Sequence, residues 1–429
     1  MHEPGEPPLT SARLHGLDAL RAVAMMLGVW LHAGMPYITG LPPFFWAIND
    51  PDKSGVIGHS ITLVHSWRME TFFLLSGFFT AMLIAKRGAI KTARQRAFRI
   101  ALPFVAALVI IQPMCAALWG LGYSAQWGFP AGTAVTTMLK TSWGIPVQGS
   151  MHEFVRLWHL WFLYELIWFV AVGLLIHAAC PGVVRRAGHG FGLWLGRVVG
   201  SWWGALLLAL PVGTMLLLHH PSGATPNTTL VPNWSSMAYF ALPFACGWLI
   251  YPAREHLNKL ARMWWCPMGI GLLIAFPVYL WSIRAGALGL EAETGPNLIG
   301  TGSHALMTTG LGLGMIGLSL RLLAHPGPRT ERFVRYGSDM AYWVYLAHMP
   351  VVVGFGILLV DWRVPALVKM TIVLLASGLV LLASYQLLVR HTPIGRLLNG
   401  RRGKWGAKNH PRAVIPPVPL EPGTKMVDA

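Results

Sequence analysis

The sequence predicts an all-α, polytopic integral membrane protein with about ten transmembrane helices. Its 429 residues are 54% hydrophobic and only 11% charged. Apolar runs of about 20 residues, the length that crosses a bilayer, recur along the chain. The net charge of +17 is divided among short segments between these runs. Because the basic residues form no single face or tail, the sequence does not favour a nucleic-acid-binding protein.

The apolar runs define the order of the predicted spans. We place them at residues 16–38, 58–85, 99–121, 156–179, 201–219, 236–252, 267–285, 303–324, 339–360 and 366–389. Residues 1–15 are predicted to form a cytoplasmic N-terminal segment, 16–390 the transmembrane domain, and 391–429 a basic, proline-rich, disordered cytoplasmic tail. The polar start Met1 to Arg13 and the lack of a small-residue cleavage pattern argue against a cleaved signal peptide.

Lysine and arginine are concentrated in alternate connections. Basic clusters follow the second, fourth, sixth and eighth runs and continue into the tail, whereas the other connections nearly lack them. By the positive-inside rule, both termini are predicted to be cytoplasmic. The four cysteines lie in or beside apolar runs without metal-ligand spacing, so we expect no metal site.

The first span contains two ionisable side chains, Arg21 and His32. Eleven positions bring them back to within about 20° of the same helix face, roughly 16 Å apart along the axis. An ionisable side chain at membrane depth costs roughly 2.5–3.5 kcal/mol, so it is expected to line a cavity or a site. The alternative is that Arg21 extends to the cytoplasmic headgroups and His32 lies near the outer end, beside Pro36.

The second span contains His65, Arg68 and Glu70, followed by Ser76 and Gly77. Arg68 and Glu70 are two positions apart and point about 200° away from each other, so each needs a partner on another helix. His65 lies on the same face as Arg68. The small pair Ser76 and Gly77 suits close helix packing, and it suits a narrow ligand channel as well.

Arg96 and Arg99 share one helix face at the cytoplasmic edge of the third span. Two guanidinium groups on one face can bind phosphate, because arginine offers planar bidentate donors and keeps its charge. One source of that phosphate is the lipid headgroups, in which case the arginines only set the topology of the chain in the membrane. A phosphate-bearing cosubstrate such as coenzyme A is the other.

Two later spans carry further polar candidates. His159 and Glu165 lie in the aromatic run of the fourth span, and Tyr345 and His348 share a face of the ninth. By position alone His159 suits an interfacial aromatic belt. Glu165 lies deeper and needs either a proton or a partner.

Taken together, these motifs resemble the membrane acyltransferase family 3. The resemblance rests on the Arg21 and His32 pair preceded by Leu17-Asp18, on FFLLSGFF at 72–79, on the Arg96 and Arg99 pair followed by Leu102-Pro103, on HLWFL at 159–163 and on YLAHMP at 345–350. HSWRMETFFLLSGFF and HLWFLYEL look most like the branch that succinylates osmoregulated periplasmic glucans. Residues 2–10 and the proline-rich tail match no part of that pattern.

The resemblance implies an enzyme of the bacterial inner membrane that moves an acyl group, here succinyl, from cytoplasmic acyl-CoA to a hydroxyl of a periplasmic glycan. No permanently bound cofactor is implied; the expected partners are acyl-CoA, the glycan and membrane lipids. The candidate catalytic residues are His32, as general base or transient acyl carrier, Arg21, which would neutralise charge such as the thioester oxyanion, and Glu70. The candidate donor-binding residues are Arg96, Arg99, Arg68 and Ser76, with Arg68 facing the succinyl carboxylate. The candidate acceptor-binding residues are His65, His159, Glu165 and His348.

Two alternatives stay open at the level of sequence. One is acetyl transfer to surface polysaccharide or to an exported metabolite. The other is a secondary transporter, in which the buried charges form a proton relay or a substrate site. Prolines within several spans are compatible with a transporter, but no inverted repeat is visible. A transporter also gives the paired cytoplasmic arginines no evident role.

Overall fold

A computed structural model describes residues 11–40, 42–147, 154–219, 225–287 and 297–399. These residues are mostly helical, and no β-strand forms among them. Isolated bridges pair Trp143 with Val155 and Arg156 with Thr229. The all-α class is therefore confirmed.

The α-helices of the described ranges follow one another with short connections. They are α1 (Ser11–Gly34), α2 (Gly55–Arg87), α3 (Ala89–Arg96), α4 (Leu102–Trp127), α5 (Ala131–Ser142), α6 (Trp161–Ala179), α7 (Pro181–Val199), α8 (Gly204–His219), α9 (Trp234–Ile250), α10 (Leu257–Arg262), α11 (Trp265–Gly269), α12 (Phe276–Ala287), α13 (Leu298–Leu322), α14 (Pro328–Leu359), α15 (Ala366–Ser384) and α16 (Pro393–Asn399). π-helical turns at Ala97–Ala101 and Ile270–Ala275 join α3 to α4 and α11 to α12.

The number of membrane-spanning helices agrees with the prediction. Eight helical segments in the described ranges are long and apolar enough to cross a membrane, and α7 with α8 adds a ninth that is bent by 115°. Helix α9 is apolar but has 17 residues, near the lower limit for a span. All ten predicted runs thus fall on helices, with 201–219 on the second limb of the bent pair. The cytoplasmic placement of both termini stays a prediction.

Local sequence signals set several helix ends. The Ser54 side chain accepts a hydrogen bond from the Ile57 amide at the start of α2, and Asn233 caps α9 in the same way. Gly128 ends α4 with a left-handed conformation, φ 72°. These caps satisfy backbone groups that the first and last helical turns leave unpaired.

Small residues allow the helices around α2 to pack closely. A Cβ atom at Gly77 would collide with the Phe244 carbonyl of α9, and one at Gly247 would collide with the Leu74 carbonyl of α2. This reciprocal approach is the kind of interface that small residues permit in a membrane. Helix α1 packs against α2, α13, α14 and α15, so it is surrounded by four other helices.

The first part of the predicted tail is helical. Residues Pro393–Asn399 form α16, and Leu398 is buried in the main hydrophobic core. Residues 1–10 and 400–429 lie outside the described ranges, so the disorder predicted for most of the tail is not tested.

Candidate active site

A small cavity lies where α1, α2 and α14 meet the start of α6. Its volume is about 30 Å³, enough for one or two water molecules. Three histidines and one arginine from four different segments line it: His32, Arg68, His159 and His348. The structure therefore brings together residues that are more than 300 positions apart in the sequence.

His32 is held in this cavity by ring contacts. Its imidazole stacks on Trp46, with centroids 5.5 Å apart and planes 6° apart, and its centroid is 5.1 Å from that of His348. The buried Nδ1 atom of His32 has no hydrogen-bond partner among the described residues. The ring is therefore available to accept a proton from a molecule that enters the cavity.

The other two histidines have their tautomers fixed by backbone carbonyls. His348 Nδ1 lies 2.8 Å from the Tyr345 carbonyl and 3.0 Å from that of Val344, and His159 Nε2 lies 3.1 Å from the Leu346 carbonyl. Because a carbonyl oxygen only accepts, these nitrogens carry the hydrogen in the neutral rings. The second nitrogen of each ring is buried without a partner in the described ranges. Each ring thus retains one free basic nitrogen.

Backbone strain is located directly before His159. Trp158 adopts a left-handed conformation, φ 50°, which is unusual for a bulky residue. It begins the short 3₁₀ turn Trp158–Leu160 that leads into α6. The Tyr345 hydroxyl donates to the His159 carbonyl over 2.7 Å and fixes this turn to α14. Strain of this kind persists where the surrounding structure enforces it, often at functional sites.

Arg68 is the cation of the cavity. The residue is 9% exposed, and a Cβ atom at Gly28 of α1 would collide with its Nη1 atom, so glycine at that position makes room for the guanidinium. Its Nε atom is buried without a hydrogen-bond partner in the described part of the chain. Arg68 therefore has donor capacity left for an anionic group.

His65 and Glu70 lie outside this cavity, although they neighbour Arg68 in the sequence. His65 is exposed and close enough to His304 and Arg68 for their charges to interact. Glu70 faces the opposite side of α2, as its helical position predicts, and accepts a hydrogen bond of 3.0 Å from the Tyr239 hydroxyl. It lines a separate, mostly apolar cavity of about 80 Å³.

Glu165 and Ser76 have local partners of their own. Glu165 is fully buried and accepts a 2.6 Å hydrogen bond from the Ser236 hydroxyl. Ser76 donates to the Phe72 carbonyl one turn earlier in α2. Neither lines the His32 cavity, so the structure does not group them with the other candidate residues.

A second cluster lies about 16 Å from His32 along α1. Arg21 is within 3.4 Å of the Asp18 carboxylate, and its guanidinium also lies over the Phe79 ring at 5.2 Å. It is close enough to Arg96 and Arg99 for their charges to interact. The buried Nε atoms of Arg21 and Arg96 have no hydrogen-bond partner among the described residues. We call Arg21, Arg96 and Arg99 the arginine cluster.

Neighbouring segments hold the arginine cluster in place. Arg96 donates to the Thr80 hydroxyl over 2.8 Å, and Arg99 donates to the Asn399 carbonyl of α16 over 3.0 Å. Arg99 also lies in the π-helical turn between α3 and α4, a local irregularity that is frequent at functional sites. Two carboxylates, Asp18 and Asp339, lie close to these three cations in the described part of the chain. The excess of positive charge suits the binding of an anion.

The connection between α1 and α2 contacts the His32 ring through Trp46. The part of it that precedes α2 is residues 42–54. Its Asp50 forms a buried ion pair with Lys369 of α15, Nζ to Oδ2 2.7 Å. The Asn49 amide donates to Gln126 of α4 over 2.5 Å. Lys53 donates to the Pro36 carbonyl over 2.8 Å; burial lowers its pKa, while the Asp50 carboxylate acts in the opposite direction. We call this segment the outer loop.

Sequence reasoning did not identify Trp46, Asp50 or Lys369. Trp46 reads as one more aromatic residue of an outer connection, where membrane proteins concentrate tryptophan. Lys369 carried a usable signal, because a single lysine inside the last apolar run needs a buried partner. Its partner Asp50 lies 319 positions away, and nothing in the sequence indicates that pairing.

Comparison with known proteins identifies the family to which the chain belongs. A family model described as an acyltransferase domain matches residues 14–389. The chain is similar to glucans biosynthesis protein C of Escherichia coli O157:H7 (strain EC4115 / EHEC) and of Escherichia coli (strain K12). Each is 23% identical over 372 residues, which cover 81% of this chain and 84% of the relative. No solved structure matches the chain.

Proposed function

Because the chain belongs to the membrane acyltransferase family 3, we propose that it moves a succinyl group from cytoplasmic succinyl-CoA to a hydroxyl of a periplasmic glucan. The acceptor class follows the similarity to glucans biosynthesis protein C. One observation carries the proposal: a histidine with an unpaired ring nitrogen and a buried arginine line the same cavity, with two further histidines. The site of action is the inner membrane of a bacterial cell.

His32 acts as the general base. A neutral imidazole can take a proton from a sugar hydroxyl near neutral pH. The hydroxyl proton moves to His32 as the hydroxyl oxygen bonds to the acyl carbon. The carbon–sulfur bond then breaks, and the thiolate leaves with its electron pair. The sulfur takes the proton from the His32 imidazolium, which yields the ester, free coenzyme A and neutral His32.

Arg68 meets the free carboxylate of the succinyl group. It is the arginine that lines the cavity with His32, and its Nε atom has no acceptor among the described residues. A bidentate arginine–carboxylate contact is strong and directional. This contact would favour succinyl over acetyl donors, since an acetyl group has no carboxylate.

The arginine cluster binds the phosphates of the donor. Arg96 and Arg99 keep the donor-binding role that the sequence suggests. We assign the same role to Arg21, because it lies at the end of α1 that is close to these two arginines. Helix α1 then has the donor phosphates near one end and the reacting carbonyl near the other. About 16 Å along the helix separates the two positions, a distance that the extended arm of coenzyme A can span.

A reaction with purified protein tests this proposal. The protein in detergent receives succinyl-CoA with and without glucan, and free thiol and glucan mass are both recorded. We expect thiol release and a succinyl mass increment that each require the acceptor. Release of thiol without transfer would exclude the proposed acceptor, and absence of both would favour the transporter alternative.

A further inference from the structure

We propose that Trp46 is a positioning residue for the reaction: it orients the His32 ring and stabilises the positive charge that His32 acquires. The proposal rests on the proposed function, because it assumes that His32 takes a proton during transfer. Trp46 comes from the outer loop, outside every motif that suggested the site. It contacts His32 but does not line the cavity.

His32 lacks the usual means of orienting a catalytic histidine. Such a ring is normally fixed by a hydrogen bond from one nitrogen to a carboxylate or carbonyl. His159 and His348 have this kind of bond, but the described residues provide none for His32. Its orientation is therefore set by its ring contacts with Trp46 and His348.

No carboxylate of the described ranges faces His32 across the cavity to stabilise a positive charge on its ring. The ionisable side chains that line the cavity with it in the described part of the chain are Arg68 on α2, His159 before α6, and Tyr345 and His348 on α14. The indole face of Trp46 is the contact that favours a cation. An aromatic face attracts a cation within about 6 Å of its centroid, and tryptophan does so most strongly.

The outer loop holds Trp46 rigidly against His32. Trp46 is 8% exposed, and the two residues after it, Ala47 and Ile48, are almost fully buried. The indole also contacts Trp119 of α4, with centroids 4.9 Å apart. The Asp50 ion pair with Lys369 fixes the loop four positions further along. A ring anchored in this way can position a neighbour that has no hydrogen bond of its own.

Two substitutions at Trp46 test the proposal with a matched control. In Trp46→Leu we expect kcat to fall about tenfold or more, since stacking and cation–π stabilisation of the proton-accepting ring are both lost. The KM for succinyl-CoA should stay within about twofold, because the arginine cluster is unchanged. Trp46→Phe retains an aromatic face and should recover most of kcat. Trp67→Leu removes a tryptophan buried in a different hydrophobic cluster and should leave kcat near the wild-type value.

The outcomes separate this inference from the proposed function. If the wild-type protein transfers no acyl group, the proposed function fails, and Trp46 is not at issue. If the wild type is active and Trp46→Leu binds donor with unchanged KM and unchanged kcat, the positioning role is excluded. Equal loss of kcat in Trp46→Leu, Trp46→Phe and Trp67→Leu would also overturn it, because packing alone would then account for the effect.

Discussion

The two ends of α1 differ in how their polar groups are held. At the C-terminal end, which the sequence predicts to be the outer one, His32, His159 and His348 are packed ring to ring, and two of the three have tautomers set by backbone carbonyls. At the other end, the arginine cluster has charged donors with few acceptors, and Arg21 is about two-fifths exposed. The first region holds imidazole rings in fixed orientations, and the second has an excess of positive charge. Under the proposed function, this difference places the chemistry at the outer end and donor recognition at the other.

The largest effect is expected from His32→Ala. General base catalysis contributes typically 10²–10⁴-fold, so transfer should fall by about that factor. Donor binding at the arginine cluster should persist, since that cluster lies about 16 Å away along α1. We would measure both the rate of succinyl transfer and the affinity for the donor. The control is His59→Ala, which replaces an exposed histidine. Transfer at the wild-type rate in His32→Ala would show that His32 is not the general base.

A substitution at Arg68 tests whether this residue binds the free carboxylate of the succinyl group. Arg68→Gln should reduce transfer from succinyl-CoA by roughly 10- to 100-fold, as expected for loss of a charged hydrogen bond. Transfer from acetyl-CoA should change little, because an acetyl group has no carboxylate for Arg68. Initial rates with the two donors in parallel measure this selectivity. An equal loss with both donors would show that Arg68 serves the reacting carbonyl and not the carboxylate.

Substitutions in the arginine cluster should weaken donor binding more than they slow the reaction. Arg96→Ala combined with Arg99→Ala is expected to raise the KM for succinyl-CoA by about tenfold and to weaken its dependence on salt, since exposed charge interactions are screened. The value of kcat should change less. Arg94→Ala removes an exposed arginine of the same segment and serves as the control. Unchanged donor affinity in the double variant would exclude donor binding by Arg96 and Arg99. Their role would then be to set the membrane topology or to contact lipid headgroups.

The smallest effect on activity is expected from the ion pair between Asp50 and Lys369. Asp50→Asn leaves the Lys369 ammonium buried without its carboxylate, which should destabilise the protein by on the order of 3 kcal/mol. Asp50→Asn combined with Lys369→Met removes both charges and should recover most of the stability. Thermal unfolding in detergent measures the difference, and activity below the transition should fall only a few-fold. A single variant as stable as the wild type would mean that the ion pair does not secure the loop.

The sequence predicts the spans well because the apolar runs are long and backbone groups in a bilayer must bond within a helix. It also predicts that Arg68 and Glu70 face opposite ways, since that follows from helix geometry. It does not predict the bend of 115° between α7 and α8, because the residues at the break, Gly200 to Trp203, do not determine the angle between two helices.

The active site was predictable only in part. His32, Arg68, His159 and His348 stood out because each is an ionisable residue in an apolar run, where such residues are costly. The same criterion selected Glu70 and Glu165, which the structure pairs with Tyr239 and Ser236. The free-energy cost of an ionisable side chain in an apolar run does not distinguish a site residue from a residue that is hydrogen-bonded to a structural partner. Trp46 carries no such cost, so only its position in space reveals it.

Mass spectrometry of periplasmic glucans tests the central claim most directly. Glucans are compared from cells that contain this gene, cells that lack it, and cells that carry the His32→Ala variant. We predict a succinyl mass increment that is present only with the intact gene. Glucans of identical mass in all three strains would contradict the proposed acceptor, and an increment that persists with His32→Ala would contradict the role of His32.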